Sequence, residues 1–300
     1  MAIDRGTTRL LLSEHATRPF RGSILQLGRQ AILFNETQLR VWSRQAAVNL
    51  KQRDEANQVN GRQMNDLAAN NLDDNDFFHL LAFDEVASCD VSAYENATFQ
   101  VDLNLPVVSD LRDRFDVIFD GGTMEHVFNV PAVLANIHAM LKVGGRVIHV
   151  APSSNMIDHG FYSFSPILFC DYYRANQYAL LSVNLFEFVS WASQWTVYDC
   201  LSGTLDNRLG RTANSKMAGV FCVAQKTSAS TSTVVPVQTH FARLWETSSR
   251  GERSRWAAAA REIIKDKWPK MADALYWARS VAWRIPVWRR AAMPPLLGKY

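Results

Sequence analysis

The stretch that most constrains this chain is residues 115–152, FDVIFDGGTMEHVFNVPAVLANIHAMLKVGGRVIHVAP. Phe115, Val117, Ile118 and Phe119 make a short apolar run that stops at Gly121 and Gly122. That is the pattern of a strand buried on both faces of a parallel sheet. Pro131 suits the first turn of a helix, where a missing N–H costs nothing. Val133, Leu134, Ile137, Met140 and Leu141 then recur at helical spacing, so one stripe of that helix faces a core. Gly144 and Gly145 read as the end of the helix. Residues 146–150 read as the next strand, closed by Pro152. Strand, right-handed crossover helix and strand together form the βαβ unit of an open α/β sheet.

The rest of the chain can be placed around that unit. Residues 23–27 (SILQL) are expected as the first core strand, ending at Gly28. Residues 84–89 form the second, ending at Asp90, and residues 97–101 the third, ending at Asp102 and Leu103. Residues 195–200 and 218–224 read as the last two strands, with a short helix over residues 186–191. Residues 1–22 form a lead-in with a short helix near residues 8–15. Residues 35–81 are long for a first crossover and rich in Gln, Asn, Asp and Arg. They read as one or two amphipathic helices, a solvated cover broken near Asn60 and Gly61. Residues 227–240 are Ser/Thr-rich and are expected as a linker. The domain organisation is therefore a lead-in over 1–22, a core domain over 23–226, that linker, and a helical tail over 241–300.

The charge is uneven. The whole chain carries +3, but residues 243–300 hold nine Arg and four Lys against five acidic residues, a net +8 that leaves the remainder at −5. Six of the nine tryptophans lie in the tail: Trp245, Trp256, Trp268, Trp277, Trp283 and Trp288. Trp277, Val281, Arg284 and Trp288 share one helical face. Two readings stay open for the tail: contact with an anionic membrane surface, or packing on the domain or a partner protein with Arg stems covering apolar surface. Nucleic acid is not an expected partner, because the core is acidic and no recognised module is present. The four cysteines show no CxxC and no His pairing, so neither a disulfide framework nor a zinc site is expected, and a cytoplasmic location fits. The N-terminus reads as lacking a signal peptide, and no run reaches the length of a spanning helix.

The 115–152 stretch resembles the central segment of class I S-adenosylmethionine (SAM)-dependent methyltransferases. There a small or acidic strand end, a Glu-His pair, a helix and a Lys-x-Gly-Gly-Arg turn recur in this order. It is most similar to a bacterial branch of methyltransferase-domain proteins that carry Leu-Gly-Arg-Gln in the first loop and His-Gly-Phe-Tyr later. Both are present here, at Leu27, Gly28, Arg29, Gln30 and at His159, Gly160, Phe161, Tyr162. The resemblance spans roughly residues 20–225. It implies an α/β, Rossmann-like fold: a mostly parallel sheet with a C-terminal antiparallel strand pair.

The resemblance also implies SAM as cofactor and names residues for it. Of the glycines in the family's first loop only Gly28 is present, with Gln26, Gln30 and Ile32 at the other positions of the pattern. Asp90 is the implied ribose-binding acid, able to accept from both ribose hydroxyls. Asp102 is implied on the adenine amino group, with Leu103 flanking the ring. Gly121 or Gly122 would meet the methionine end, with Glu125 beside the reaction centre. His126 is a candidate general base, its ordinary pKa lying near neutrality; Glu125 and His126 can equally serve to cap and orient the helix. Asp158 and His159 supply a second candidate base where an acceptor should bind, with the Tyr162 hydroxyl nearby and aromatics as a stacking wall. Asp158, His159 and His126 have no clear ligand spacing, so no metal is expected. The expected activity is methyl transfer to a small-molecule or glycan-type acceptor. The alternative is a non-catalytic binding or assembly module that docks through its basic tail. A nicotinamide-dependent oxidoreductase is disfavoured, since the first loop lacks the glycine spacing for a pyrophosphate.

Overall fold

Residues 23–27 do form a strand, the middle one of five parallel neighbours. The computed structural model describes residues 2–52, 70–190, 192–201, 216–248 and 296–300, with the isolated residues 270, 274 and 278. Five parallel strands make the core of the sheet: β2 (Ser23–Leu27), β4 (Glu85–Asp90), β5 (Phe99–Gln100), β6 (Phe115–Asp120) and β7 (Leu141–Ser154). Three further strands, β8 (Ala179–Phe188), β9 (Thr196–Asp199) and β10 (Met217–Gln225), extend it, and β11 (Leu296–Lys299) closes the far edge. Among the described residues the order is β11-β9-β8-β10-β7-β6-β2-β4-β5. The chain starts at β2, moves outward to β4 and β5, then returns to β6 on the other side. The order thus reverses between β2 and β6. β10 runs antiparallel between β7 and β8, pairing Val220 with Ala151 on one side and with Leu185 on the other. A separate two-stranded sheet pairs β1 (Ala2–Ile3) with β3 (Ala31–Ile32) in parallel.

Side chains alternate across the sheet, so both faces need cover. On one face Leu25, Leu27, Ile118 and Val147 pack beneath α4 (Val130–Met140) and α5 (Pro166–Ala175). On the other face Ile24, Val117, Phe119 and Ile148 pack beneath α1 (Arg5–Thr17), α2 (Glu36–Gln45) and α3 (Asp74–Leu80). Each helix has a local start signal. Asp4 caps α1 by accepting from Thr7 N at 2.9 Å. Asn35 and Gln38 form a reciprocal capping box on α2. Asn129 caps α4, with Pro131 in its first turn.

Several expectations change. The lead-in is part of the fold: α1 is longer than residues 8–15 and lies on the sheet. Glu14, 4% exposed, is paired with Arg146 of β7 at 3.1 Å. Gly144 and Gly145 do not end α4, which stops at Met140; they turn the chain inside β7, where the register jumps from Phe115–Leu141 to Val117–Arg146. The helix expected over 186–191 is replaced by the end of β8. Val183 and Leu185 feed one core while Phe186 and Phe188 feed the other, a period of two rather than 3.6. The antiparallel pair is therefore β8 with β10, and β9 lies outside it. The third strand shortens to two residues.

The segment expected as a linker is pinned to the domain. Thr231 N donates to Asn176 O at 3.0 Å, and Asn176 Nδ2 donates to Val234 O at 2.9 Å. α6 (Thr239–Ser248) follows, its first residue held by Asp171, with Phe241 and Trp245 exposed. The helical face of Trp277, Val281, Arg284 and Trp288 lies outside the described residues, as do residues 53–69 of the long insert. The end of the expected helical tail is instead the edge strand β11. Among the described residues no helix is long and apolar enough to cross a membrane.

Candidate active site

The loops at the C-terminal ends of β2, β4, β5, β6 and β7 gather most of the residues singled out from the sequence. Gly28 follows β2 in the left-handed region, with φ of 70°, and its N–H donates to Cys89 O at 2.8 Å. A Cβ there would stand 2.8 Å from Thr123 Oγ1, so the position requires glycine. Thr123, in the loop after β6, donates through that hydroxyl to Leu27 O. The two loops flanking the reversal of strand order are thus tied together.

The first loop is filled by its own side chains. Arg29 pairs with Asp74, and with Asp73 at 3.0 Å; those pairings hold its guanidinium above its ordinary value against the opposing effect of burial. Gln30, only 3% exposed, donates its backbone N–H to Asp74 Oδ2 at 3.2 Å. The chain then runs into β3 rather than directly into a helix. Gly121 is buried, and a Cβ on it would meet Gln30 Oε1 at 2.8 Å. The side-chain face of Gly121 therefore lies against Gln30.

Asp90 ends β4 half-buried. Its Oδ1 accepts from Ser92 N at 2.8 Å and Ser92 Oγ at 3.1 Å. Asp102 is exposed, and the backbone and side chain of Asn104 bond its Oδ1 in a local turn, holding its carboxyl below the usual range. Leu103 is 5% exposed and packs into the core with Leu27 and Cys89. An Asx turn at Asp102 and a core position for Leu103 are what structure alone demands there.

The β6 loop is the chemically dense part. Asp120 is fully buried and accepts from Thr123 N at 3.0 Å, Met124 N at 3.1 Å and His149 Nδ1 at 2.7 Å. Burial acts to raise its carboxyl, but these bonds outweigh it and hold it below the carboxylate range. The other nitrogen of His149 meets Tyr173 OH at 2.6 Å. This buried Asp–His–Tyr chain was not singled out from the sequence: His149 sits in mid-strand, and nothing local marks its partner in α5. Tyr172 and Tyr173 are core residues of α5.

Glu125, in a 3₁₀ turn over Met124–His126, is 0% exposed, and neither carboxylate oxygen has a hydrogen-bond partner. Burial, then the neighbouring Asp120 carboxylate, push its carboxyl up to about 8. His159, from the loop after β7, brings Nε2 to 3.4 Å from Glu125 Oε1, close but not aligned for a hydrogen bond. The ring of His126 lies 5.2 Å from that of His159. Donor atoms of Glu125, His126 and His159 all fall within 4.8 Å of one another. Burial, and for His126 also the His159 ring, lower both imidazoles, which favours their neutral forms. The 158–162 loop is anchored here by Phe161 N donating to Glu125 O at 2.9 Å. The Tyr162 hydroxyl donates to Phe128 O at 2.9 Å, so it is engaged in the loop and not aimed at the histidines. Phe128 and Phe161 are exposed and meet edge to face at 6.0 Å.

A cavity of about 300 Å³ lies elsewhere, between α4 and the loops at Val107, Arg112 and Lys226, and holds none of these residues. The chemistry of the strand ends, not this cavity, marks the site.

A mostly parallel sheet with a C-terminal antiparallel strand pair is what the resemblance implies, and the sheet has both, with its order reversing between β2 and β6. The fold is therefore α/β and Rossmann-like, as the resemblance implies. No family model matches the sequence, and no curated protein matches it. Solved structures superpose on it loosely. One is the 1,6-didemethyltoxoflavin-N1-methyltransferase of Burkholderia thailandensis, with bound 1,6-didemethyltoxoflavin and S-adenosylhomocysteine. It is 14% identical over 75% of this chain and 80% of that one, with a TM-score of 0.37. Another is the N-methyltransferase NodS of Bradyrhizobium japonicum, 11% identical over 75% of this chain and 95% of that one, with a TM-score of 0.34. The fold assignment rests on the strand order of this chain, not on these superpositions.

Proposed function

We propose that this protein is a SAM-dependent methyltransferase acting on a small-molecule acceptor that offers a hydroxyl or amine. The observation that carries this reading is the convergence at the reversal of strand order. Thr123 ties to the Gly28 loop and His159 lies against Glu125, both beyond the ends of β2, β6 and β7, where open α/β sheets bind ligands, and Asp90 ends the neighbouring β4. The Gly28 backbone, kept bare of a Cβ, and the Asp90 carboxylate are the groups that would hold the nucleoside. SAM, when bound, supplies an activated methyl group on a sulfonium whose leaving group is neutral. The chain therefore needs no acid at the leaving sulfur. It has to orient the acceptor, exclude water and take the proton that the acceptor loses. His126 and His159, kept neutral by their surroundings, are the bases placed to accept that proton. Exposed Phe128 and Phe161 offer apolar faces for the acceptor to stack on, the feature that a glycan-type acceptor would also use.

A second reading, a non-catalytic module of the same fold, is favoured by one observation. Arg29, Gln30 and Asp74 occupy the first loop where a cofactor would approach. Calorimetric titration of the full chain with S-adenosylhomocysteine separates the two. Saturable binding that Asp90→Ala weakens about tenfold to a hundredfold supports the enzyme, since a hydrogen bond to a charged group is worth about 1.5–3 kcal/mol. No binding by folded protein at millimolar ligand favours the module.

A further inference from the structure

Glu125 presents a problem that hydrogen bonding does not solve. A carboxyl group that is 0% exposed with both oxygens unpartnered is costly to bury. The groups facing it are two imidazoles, from His126 in the same turn and His159 across the loop. His159 Nε2 is likewise buried without a partner, although it stands 3.4 Å from Glu125 Oε1. That spacing is informative. Ligand bonds of about 2.1 Å at tetrahedral angles put donor atoms roughly 3.4 Å apart. His126 is exposed, so its ring can move the short distance needed to complete the set. Buried Asp120 behind the turn adds negative charge that favours a cation.

We propose that Glu125, His126 and His159 form a binding site for a divalent transition-metal cation of the zinc or cobalt type. Two imidazoles and one carboxylate are the donors such ions take, and three protein ligands leave a position open. Resting on the methyltransferase reading above, the site would select acceptors that present a hydroxyl oxygen, because a bound cation lowers the pKa of an oxygen ligand. With the cation bound, His126 and His159 act as its ligands and not as bases, so the acceptor proton leaves to solvent before the oxygen attacks the methyl carbon and the thioether departs.

The test uses the full chain stripped with a chelator, titrated with Zn²⁺ alone by calorimetry and with Co²⁺ alone by visible absorption. The expected result is one equivalent bound with micromolar affinity or better, with ligand-field bands for Co²⁺. His126→Ala, an exposed position, and Glu125→Gln, which keeps the side-chain volume, should each weaken binding at least about tenfold while retaining a cooperative thermal transition. His159→Ala should do the same. No saturable Zn²⁺ or Co²⁺ binding by the folded wild type overturns the proposal, as does binding that all three variants retain unchanged. S-adenosylhomocysteine titration of the same sample keeps the two conclusions apart. Nucleoside binding without metal binding removes this site alone, and metal binding without nucleoside binding removes the methyltransferase reading alone.

Discussion

At the residue scale, Glu125 is the position where structure and stability conflict most. Its carboxyl titrates near 8 in the folded chain against an ordinary 4.5. Between those values the native state holds a proton that the unfolded chain has shed. Without a bound cation, stability therefore falls as pH rises through that window. Glu125→Gln removes the titrating group. In the presence of chelator, the variant should gain stability relative to wild type from pH 5 to pH 8, by at most about 1.4 kcal/mol per pH unit. Urea unfolding at the two pH values checks this, and parallel profiles for the two proteins would sink it. Tyr162 makes the opposite point. Its hydroxyl was a plausible reactant by type and position, but the Phe128 carbonyl takes it. Residue type shows what a side chain can do; only its partners show whether it is free to do it.

At the element scale, α1 shows how tightly an unremarked segment can be fixed. Gly6 lies against the indole of Trp195, and an added Cβ would stand 2.1 Å from Trp195 Cδ2. The indole cannot retreat, because it stacks on Phe186 at 4.1 Å and Phe188 at 5.1 Å. Alanine is the better helix former by roughly 0.8–1 kcal/mol. Overpacking of a filled core costs about 1–3 kcal/mol and should win here, given a contact this short. Gly6→Ala should thus lower the melting temperature; a rise would show that α1 sits loosely on the sheet. The helix itself was partly legible, from Leu10, Leu11 and Leu12 between polar residues. Its docking was not, because the contact joins residues 6 and 195, which no local pattern relates.

At the scale of the whole molecule, Lys226 joins parts that are far apart in sequence. It is 7% exposed, and its ammonium donates to Asp113 Oδ1 at 2.8 Å, His138 O at 2.8 Å and Leu141 O at 2.7 Å. The end of α4, the loop before β6 and the end of β10 meet on this one group. Lys226→Met should cost about 1–3 kcal/mol, since it strands two carbonyls that rely on the ammonium, and chemical denaturation measures it. In the sequence Lys226 is only the last residue before the expected linker. The sequence by itself determined the parallel frame, β2, β4, β6 and β7, because short apolar runs ended by Gly or Asp have few other ways to be buried. It also placed Gly28, Asp90, Glu125, His126 and His159 at strand ends, which follows from the frame alone. Tertiary structure decided what those residues meet: Arg29 and Gln30 filling the first loop, Leu103 in the core, His149 between Asp120 and Tyr173, and Glu125 opposite two histidines. The pairs Arg29 with Asp74, His149 with Tyr173 and Glu125 with His159 span 24 to 45 residues and are set by strand order and helix packing. Periodicity can announce which face of an element is buried, but it carries no information about the element packed against it.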